Sequence, residues 1–282
     1  MAMTRDFDLL WGFDKPTETE AKFRSMLEKS PDDAYRQELL TQIARCQGLQ
    51  RKFDEAHATL DKVLAPNKDR TQVRSLLERG RVFNSSGDKE KARPLFVEAW
   101  DLANQLHEDF FAVDAAHMIA IVADTKEAME WNLKALDLAE KSEDERARNW
   151  LGSLDNNIGW TYHSEGSFAE ALKMLEKALE FRVKQGKREN ILIARWCIGR
   201  CLRSLGRVDE ALEIQRELLE TRELNREPDG FVNEEMGECL LALGKAEAAK
   251  QYFAGAYAQL SQDPWLMANE AARIDRLKTL SI

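Results

Sequence analysis

The apolar residues of this chain recur at helical spacing, and small residues mark the same place in successive stretches. Pairs of small residues stand twelve positions apart along the sequence: Ala44 and Ala56, Gly80 and Ala92, Ala116 and Ala128, Gly159 and Ala171, Gly199 and Ala211, and Gly237 and Ala249. The alternation of apolar and polar residues that indicates β-strands is absent. The pattern therefore predicts an all-α fold built from six repeated helix–turn–helix units.

The glycines support the same register. Eight of the fourteen form four pairs seven residues apart: Gly80 and Gly87, Gly159 and Gly166, Gly199 and Gly206, and Gly237 and Gly244. The first glycine of each pair falls inside a predicted helix, where glycine costs about 1 kcal/mol relative to alanine. We expect close contact with the paired helix to compensate for that cost. The second glycine lies between two helical patterns and is predicted to end the first helix in the left-handed conformation.

The fourth unit shows the pattern most fully. Its first helix carries Leu154, Ile158, Gly159 and Trp160, its turn carries Gly166, and its second helix carries Ala171, Leu172 and Ala178. This arrangement resembles the tetratricopeptide repeat (TPR), a helix–turn–helix unit of about 34 residues, although Asp155 stands where that family often has Trp. The resemblance implies a right-handed superhelical α-solenoid of antiparallel helix pairs, whose concave groove binds peptide segments of other proteins.

The register also predicts how the chain is divided. We expect an N-terminal helical half-unit over residues 1–36, six repeats over 37–262 and a C-terminal capping helix over 263–282, all in one continuous solenoid. Thr17 and Glu20, behind Pro16, predict a capping box at the first helix. From the second small residue of one unit to the first of the next, the interval is 24 to 28 residues except for 31 around residues 141–145. That longer interval predicts about two further turns in the flanking helices.

Composition narrows the class of protein. The chain has 50 acidic and 41 basic residues and a net charge of −9, which argues against nucleic-acid binding because a nucleic-acid binder needs a positive face. Charges interrupt the N-terminal residues, and no run of 18 apolar residues occurs, so neither a signal peptide nor a membrane span is predicted. We expect a cytoplasmic protein whose four cysteines are reduced thiols.

No motif in the sequence predicts catalysis, a metal or a cofactor. The phosphate-loop, dinucleotide-binding, nucleophile-elbow and zinc-protease patterns are all missing, so we expect a protein that is not an enzyme. Cys197 and Cys201 lie four apart on one helix face but lack two further ligands for zinc, which favours buried thiols. Asp114 and His117 lie three apart and are interpreted as polar residues lining the groove rather than as an acid–base pair.

The resemblance also indicates which side chains project into the groove. Counted from the small residue of each first helix, the inward positions select a set that we expect to bind a peptide: Arg81, His117, Asn156, Asn157, Trp160, His163, Trp196, Arg200 and Arg203. Asparagine side chains can hold a peptide backbone, and indole rings beside guanidinium groups can bind an apolar or acidic side chain. The alternative is internal: the two indoles pack between repeats, and Arg200 and Arg203 pair with Glu234 and Glu238.

Two functions remain open at this stage. The first is an adaptor or scaffold that binds a protein or peptide partner in the groove. The second is a regulatory TPR protein whose superhelix changes shape on binding a ligand or peptide. The short stretch before the first unit favours the adaptor, because such regulators usually carry an N-terminal effector domain. The subgroup that binds chaperone C-termini through a carboxylate clamp is disfavoured, since only Asn157 falls on a clamp position.

Overall fold

A computed structural model describes residues 5–30, 32–64 and 68–282 of the chain. Every regular element in these ranges is a helix, which confirms the all-α prediction. After a 3-10 helix at Asp6–Leu10, the α-helices are α1 Pro16–Lys29, α2 Asp33–Leu49, α3 Phe53–Leu60, α4 Arg70–Ser85, α5 Lys89–Gln105, α6 Asp109–Val122, α7 Thr125–Lys141, α8 Glu145–Arg148, α9 Leu151–Ser164, α10 Phe168–Gln185, α11 Arg188–Ser204, α12 Val208–Leu224, α13 Gly230–Ala242, α14 Ala246–Leu260, α15 Pro264–Asn269 and α16 Ala271–Leu280.

The chain divides into two compact units, with the boundary after Leu154, inside α9. In the first unit, α2 packs on α3, α4 on α5 and α6 on α7, and α5 in turn packs on α6. In the second unit, consecutive helices from α10 to α14 pack on one another. These consecutive pairs are the predicted helix–turn–helix repeats. Each unit encloses its own apolar core, with Phe96 fully buried in the first and Phe253 almost fully buried in the second.

The mid-helix glycines lie in close contact with the paired helix of the same unit, as predicted. A Cβ atom built on Gly159 would lie 2.9 Å from Leu175, and one on Gly237 would lie 2.8 Å from the ring of Phe253. Neither distance leaves room for an alanine side chain. The turn glycines of the same pairs have positive φ angles, +79° at Gly166 and +72° at Gly244, which confirms their role in ending a helix.

The longer interval after the third repeat does not lengthen the flanking helices, so this prediction is wrong. Helix α7 ends at Lys141 without additional turns, and the surplus residues form the separate short helix α8, Glu145–Arg148. The side chain of Ser142 explains the break, because its Oγ donates to Asp109 Oδ2 at 2.6 Å and accepts from the backbone N–H of Asp144 at 3.1 Å. The backbone of Ser142 is extended, with φ −69° and ψ 142°, which ends α7.

Both ends of the chain differ in detail from the sequence-based expectation. The capping box does not form: the Thr17 hydroxyl donates to Gln50, and Glu20 accepts from Arg24 and Gln50. At the C-terminus, the segment expected to be one capping helix is divided into α15 and α16. The second of these packs on α14 and buries Ile274 and Leu277.

Candidate functional site

Three aromatic side chains on successive first helices of the second unit form a row that we call the aromatic ladder: Trp160 on α9, Trp196 on α11 and Phe231 on α13. The ring centroids of Trp160 and Trp196 are 6.2 Å apart, and those of Trp196 and Phe231 are also 6.2 Å apart. Both indoles are half-buried against the core, and Phe231 is 40% exposed. The ladder therefore combines fixed ring positions with apolar surface that water can reach.

A hydrogen bond holds the indole of Trp196 in place, and a ring contact holds that of Trp160. Trp196 Nε1 donates to the backbone carbonyl of Phe231 at 3.1 Å, which links α11 to the start of α13. The Trp160 ring packs against that of His163, with 5.0 Å between the ring centroids. Because the N–H of Trp196 is satisfied within the protein, the exposed surface of this indole is apolar in character.

The guanidinium groups of Arg200 and Arg203 lie next to the ladder and share one carboxylate. Arg200 Nε lies 3.2 Å from Glu235 Oε1, and Arg203 donates to both oxygens of Glu235 at 2.8 and 3.1 Å. Burial disfavours the charge on Arg203, but Glu235 outweighs that effect and raises the pKa of Arg203. Two cations on one carboxylate leave an excess positive charge, and the Arg200 side chain is 31% exposed.

Both arginines thus have a carboxylate partner within the protein, as the alternative interpretation held, but the partner is a different glutamate. The alternative interpretation paired Arg200 and Arg203 with Glu234 and Glu238, but these two glutamates bind Arg273 and Arg276 on α16. The two glutamates lie four residues apart on α13, and so they face the same neighbouring helix.

His163 and the two asparagines complete the predicted groove residues on α9. His163 Nε2 lies 2.9 Å from Ser204 Oγ, and its ring contacts those of Trp160 and Phe168. Burial, together with the charges of Arg200 and Arg203, lowers the pKa of His163. Asn156 and Asn157 are half-buried and precede Trp160 by four and three residues, which places them on the same side of the helix.

The other two predicted site residues, Arg81 and His117, belong to the first unit. Both contact other side chains of that unit. Arg81 donates to Glu78 at 2.7 Å and to Asp114 at 2.6 Å. Burial alone would raise the pKa of Asp114, but Arg81 and Arg45 hold it below its ordinary value. The His117 ring lies 4.9 Å from that of Trp150, and burial lowers the pKa of His117. Asp114 is therefore the acceptor of an ion pair with Arg81.

The N-terminal segment covers part of the corresponding face of the first unit. Arg5 donates to Glu38 at 2.6 Å, Asp8 accepts from Arg74 at 2.7 Å, and Trp11 Nε1 donates to Gln42 at 3.1 Å. The residues bound by this segment lie on the first helices α2 and α4. The sequence analysis did not predict that the N-terminal segment covers this face, because no local sequence pattern indicates where such a segment packs.

The cysteines are buried thiols. Burial raises the pKa of Cys197 to about 11 and that of Cys239 to about 12, which makes both poor nucleophiles at neutral pH. Among the residues that the structure describes, no group of three or more His, Cys, Asp or Glu side chains could hold a metal ion. Within the same residues, no helix is long and apolar enough to cross a membrane.

Comparisons with known proteins agree with this architecture. A family model described as Tetratricopeptide repeat matches residues 150–224. The sequence matches no curated protein. The fold is similar to that of a tetratricopeptide repeat protein from Parabacteroides merdae, with a TM-score of 0.56, 18% sequence identity, and coverage of 95% of this chain and 93% of that one.

Two further similar structures were solved as complexes. A Rap protein complexed with competence and sporulation factor aligns with a TM-score of 0.60 and 16% identity over 88% of this chain and 72% of that one. NprR in complex with its cognate peptide NprX aligns with a TM-score of 0.60 and 16% identity over 95% and 78%. At such identities the likeness concerns the fold. Residues 150–224 are thus tetratricopeptide repeats, and the chain has the helical-repeat fold of TPR proteins.

Proposed function

We propose that this protein is an adaptor or scaffold that binds a peptide segment of a partner on the aromatic ladder of its second unit. The observation that carries the proposal is the ladder itself: three aligned aromatic side chains, partly exposed, beside a guanidinium pair with excess positive charge. Hot spots of protein interfaces are rich in Trp and Arg, and they combine apolar area with a desolvated charge. The TPR fold is generally a non-catalytic scaffold for protein interactions.

Each part of the surface has a distinct role in this proposal. The indoles of Trp160 and Trp196 cover an apolar side chain of the segment. Arg200 binds an acidic side chain or a backbone carbonyl of the partner, because Glu235 neutralises only one of its two arginines. Asn156 supplies an amide that can both donate to and accept from a peptide backbone.

The test is capture of a partner from source-cell extract, followed by titration of the captured segment. Trp160→Ala and Arg200→Ala should each weaken binding by about 1 to 4 kcal/mol, as truncation of a hot spot does. Lys177→Ala, which changes an exposed residue of α10, should leave the affinity unchanged. If the two variants lower the melting temperature sharply while the affinity per folded molecule stays constant, the residues serve packing and the proposal is wrong.

A second candidate function is a regulator whose helical repeats rearrange when a peptide binds. The similarity to Rap with its bound factor, and to NprR with its bound peptide, supports this alternative. Hydrogen exchange separates the two functions. An adaptor should show protection only at the helices that carry the ladder, whereas a regulator should also show changed exchange in helices that make no contact with the peptide.

A further inference from the structure

A cleft opens next to the aromatic ladder, between the first half of α11, the end of α12 and the start of α13. Its volume is about 400 Å³, within the range of about 300 to 1,000 Å³ that is typical of ligand pockets. Six apolar side chains line it: Leu192, Ile193, Trp196, Leu218, Phe231 and Val232. Because Trp196 and Phe231 belong to both features, a segment bound on the ladder reaches the opening of the cleft.

The cleft has apolar surface that the protein leaves uncovered. Leu192, Leu218 and Val232 form a buried floor, whereas Ile193 is 47% exposed and Phe231 is 40% exposed at the rim. The only indole N–H in the lining, that of Trp196, is already bonded to the Phe231 carbonyl. An apolar side chain could therefore enter without leaving this donor unsatisfied, and it would remove the rim from water.

One end of the cleft is polar and carries more acids than bases. Arg222 is nearly buried and binds three carboxylates: Glu189 at 2.8 Å, Asp229 at 3.1 Å and Glu227 at 3.4 Å. Arg188 contributes the second cation of this group, 3.0 Å from Glu227. Three acids against two arginines leave an excess negative charge. The Glu189 side chain, which is 55% exposed, presents that charge to solvent.

We infer that this cleft binds one large apolar side chain of the partner segment, and that the segment carries a lysine or arginine next to that side chain. The apolar lining selects the first residue, and the acidic end selects the second through charge complementarity. Beside the ladder, Arg200 carries an excess of positive charge. An acidic residue of the segment is therefore favoured near Arg200 and disfavoured near Glu189. The inference rests on the proposed function, because it takes the segment on the ladder to be the occupant.

The experiment is selection of peptides from a random 12-residue library displayed on phage, with the full chain as bait. Peptides that bind the unchanged protein should share a large apolar residue with Lys or Arg close by. Glu189→Lys should shift the selected charge at that place from basic to acidic, and Ile193→Ala should weaken the selected peptides by about tenfold. Two matched changes on exposed residues of α10 are the controls. Glu180→Lys should leave the charge preference unchanged, and Val183→Ala should leave the affinity unchanged.

The outcomes separate this inference from the proposed function. Peptides whose binding depends on Trp160 and Arg200, but is indifferent to Ile193→Ala and keeps its charge preference in Glu189→Lys, would overturn the cleft and leave the ladder in place. A selection that yields no peptide sensitive to Trp160→Ala or Arg200→Ala would overturn both. The reversal of charge preference is the decisive measurement, because loss of folding cannot produce it.

Discussion

Gly237 shows how one residue controls the distance between two helices. The ring of Phe253 on α14 occupies the space where a side chain on Gly237 of α13 would begin. Gly80 is in the same position relative to Phe96 in the first unit. Loss of the glycine therefore means displacement of a buried aromatic ring, and this is the physical reason for glycine in the interior of a helix.

Gly237→Ala should accordingly lower the free energy of unfolding by about 1 to 3 kcal/mol, the usual cost of overpacking. Gly48→Ala is the matched control, because a Cβ there would meet Val82 at 3.4 Å, an ordinary contact. This control should be neutral, or stabilising by up to about 1 kcal/mol through helix propensity. Urea unfolding of the two variants measures both values, and equal stabilities would contradict the packing role of Gly237.

Two histidines should make the protein less stable in mild acid. The pKa values of His117 and His163 are lowered in the folded state, chiefly by burial. The unfolded chain therefore binds more protons than the folded chain below the ordinary histidine pKa of about 6.5. Above that pH both histidines are neutral in the folded and the unfolded chain, and the folded state has its full stability. As the pH falls toward the folded-state pKa values, the free energy of unfolding decreases.

Urea midpoints measured between about pH 7 and 5 check this expectation. His117→Gln and His163→Gln should each flatten the decline relative to the unchanged protein. His107 is exposed and has a positive φ of 55°, so His107→Asn is a control that keeps its backbone conformation. A decline that keeps its slope in both glutamine variants would show that other groups cause it.

At the scale of helices, opposite charges one repeat apart connect successive first helices. Arg45 of α2 binds Glu78 of α4, and Arg81 of α4 binds Asp114 of α6, each across 33 residues. In the second unit, Arg203 of α11 binds Glu235 of α13 across 32 residues. A search for complementary charges at this spacing is a signal by which the sequence could have revealed these partners.

The last helix protects the sixth repeat by covering it. Ile274 and Leu277 of α16 are almost completely buried, and Arg273 neutralises the nearly buried Glu234. Removal of residues 264–282 would expose this apolar face and leave Glu234 without its cation. Full burial of each large apolar side chain is worth about 1.5 to 3 kcal/mol. The repeat beneath cannot replace that contribution, since repeats depend on their neighbours.

A chain that ends at Asp263 should therefore aggregate or lose hydrogen-exchange protection in α13 and α14. Static light scattering and hydrogen exchange measure the two effects. The substitution Trp265→Ala, at a residue that is 61% exposed on α15, is the control and should change neither. A truncated protein as soluble and as heat-resistant as the full chain would contradict the capping role.

At the scale of the whole molecule, the two units differ in how far the side chains at the predicted inward positions are covered by other parts of the protein. In the first, the inward guanidinium group of Arg81 is bound by two acids of the same unit, and the N-terminal segment covers Arg74. In the second, aromatic rings and the partly exposed Arg200 stay open to solvent. This difference is the reason for proposing a function in the second unit, although the sequence register marked inward positions in both.

The sequence by itself determined the helical pairs, their turns and the glycine contacts. These features follow from local periodicity and from the conformational cost of residues such as Gly159 and Gly166, so they can be recognised without knowledge of distant parts of the chain. The all-α fold and the tetratricopeptide resemblance have the same origin. Trp160, Trp196 and the neighbouring Arg200 could also be named, because the register orders them along successive first helices.

Only the tertiary structure decided which side chains meet. Arg200 and Arg203 bind Glu235 rather than Glu234 or Glu238, and the surplus residues after α7 form α8 instead of longer helices. The apolar cleft beside Trp196 likewise draws its walls from three helices. Several acids lie within reach of each arginine, and several conformations suit a short insertion. The choice among them depends on packing between residues far apart in the chain, which no local pattern contains.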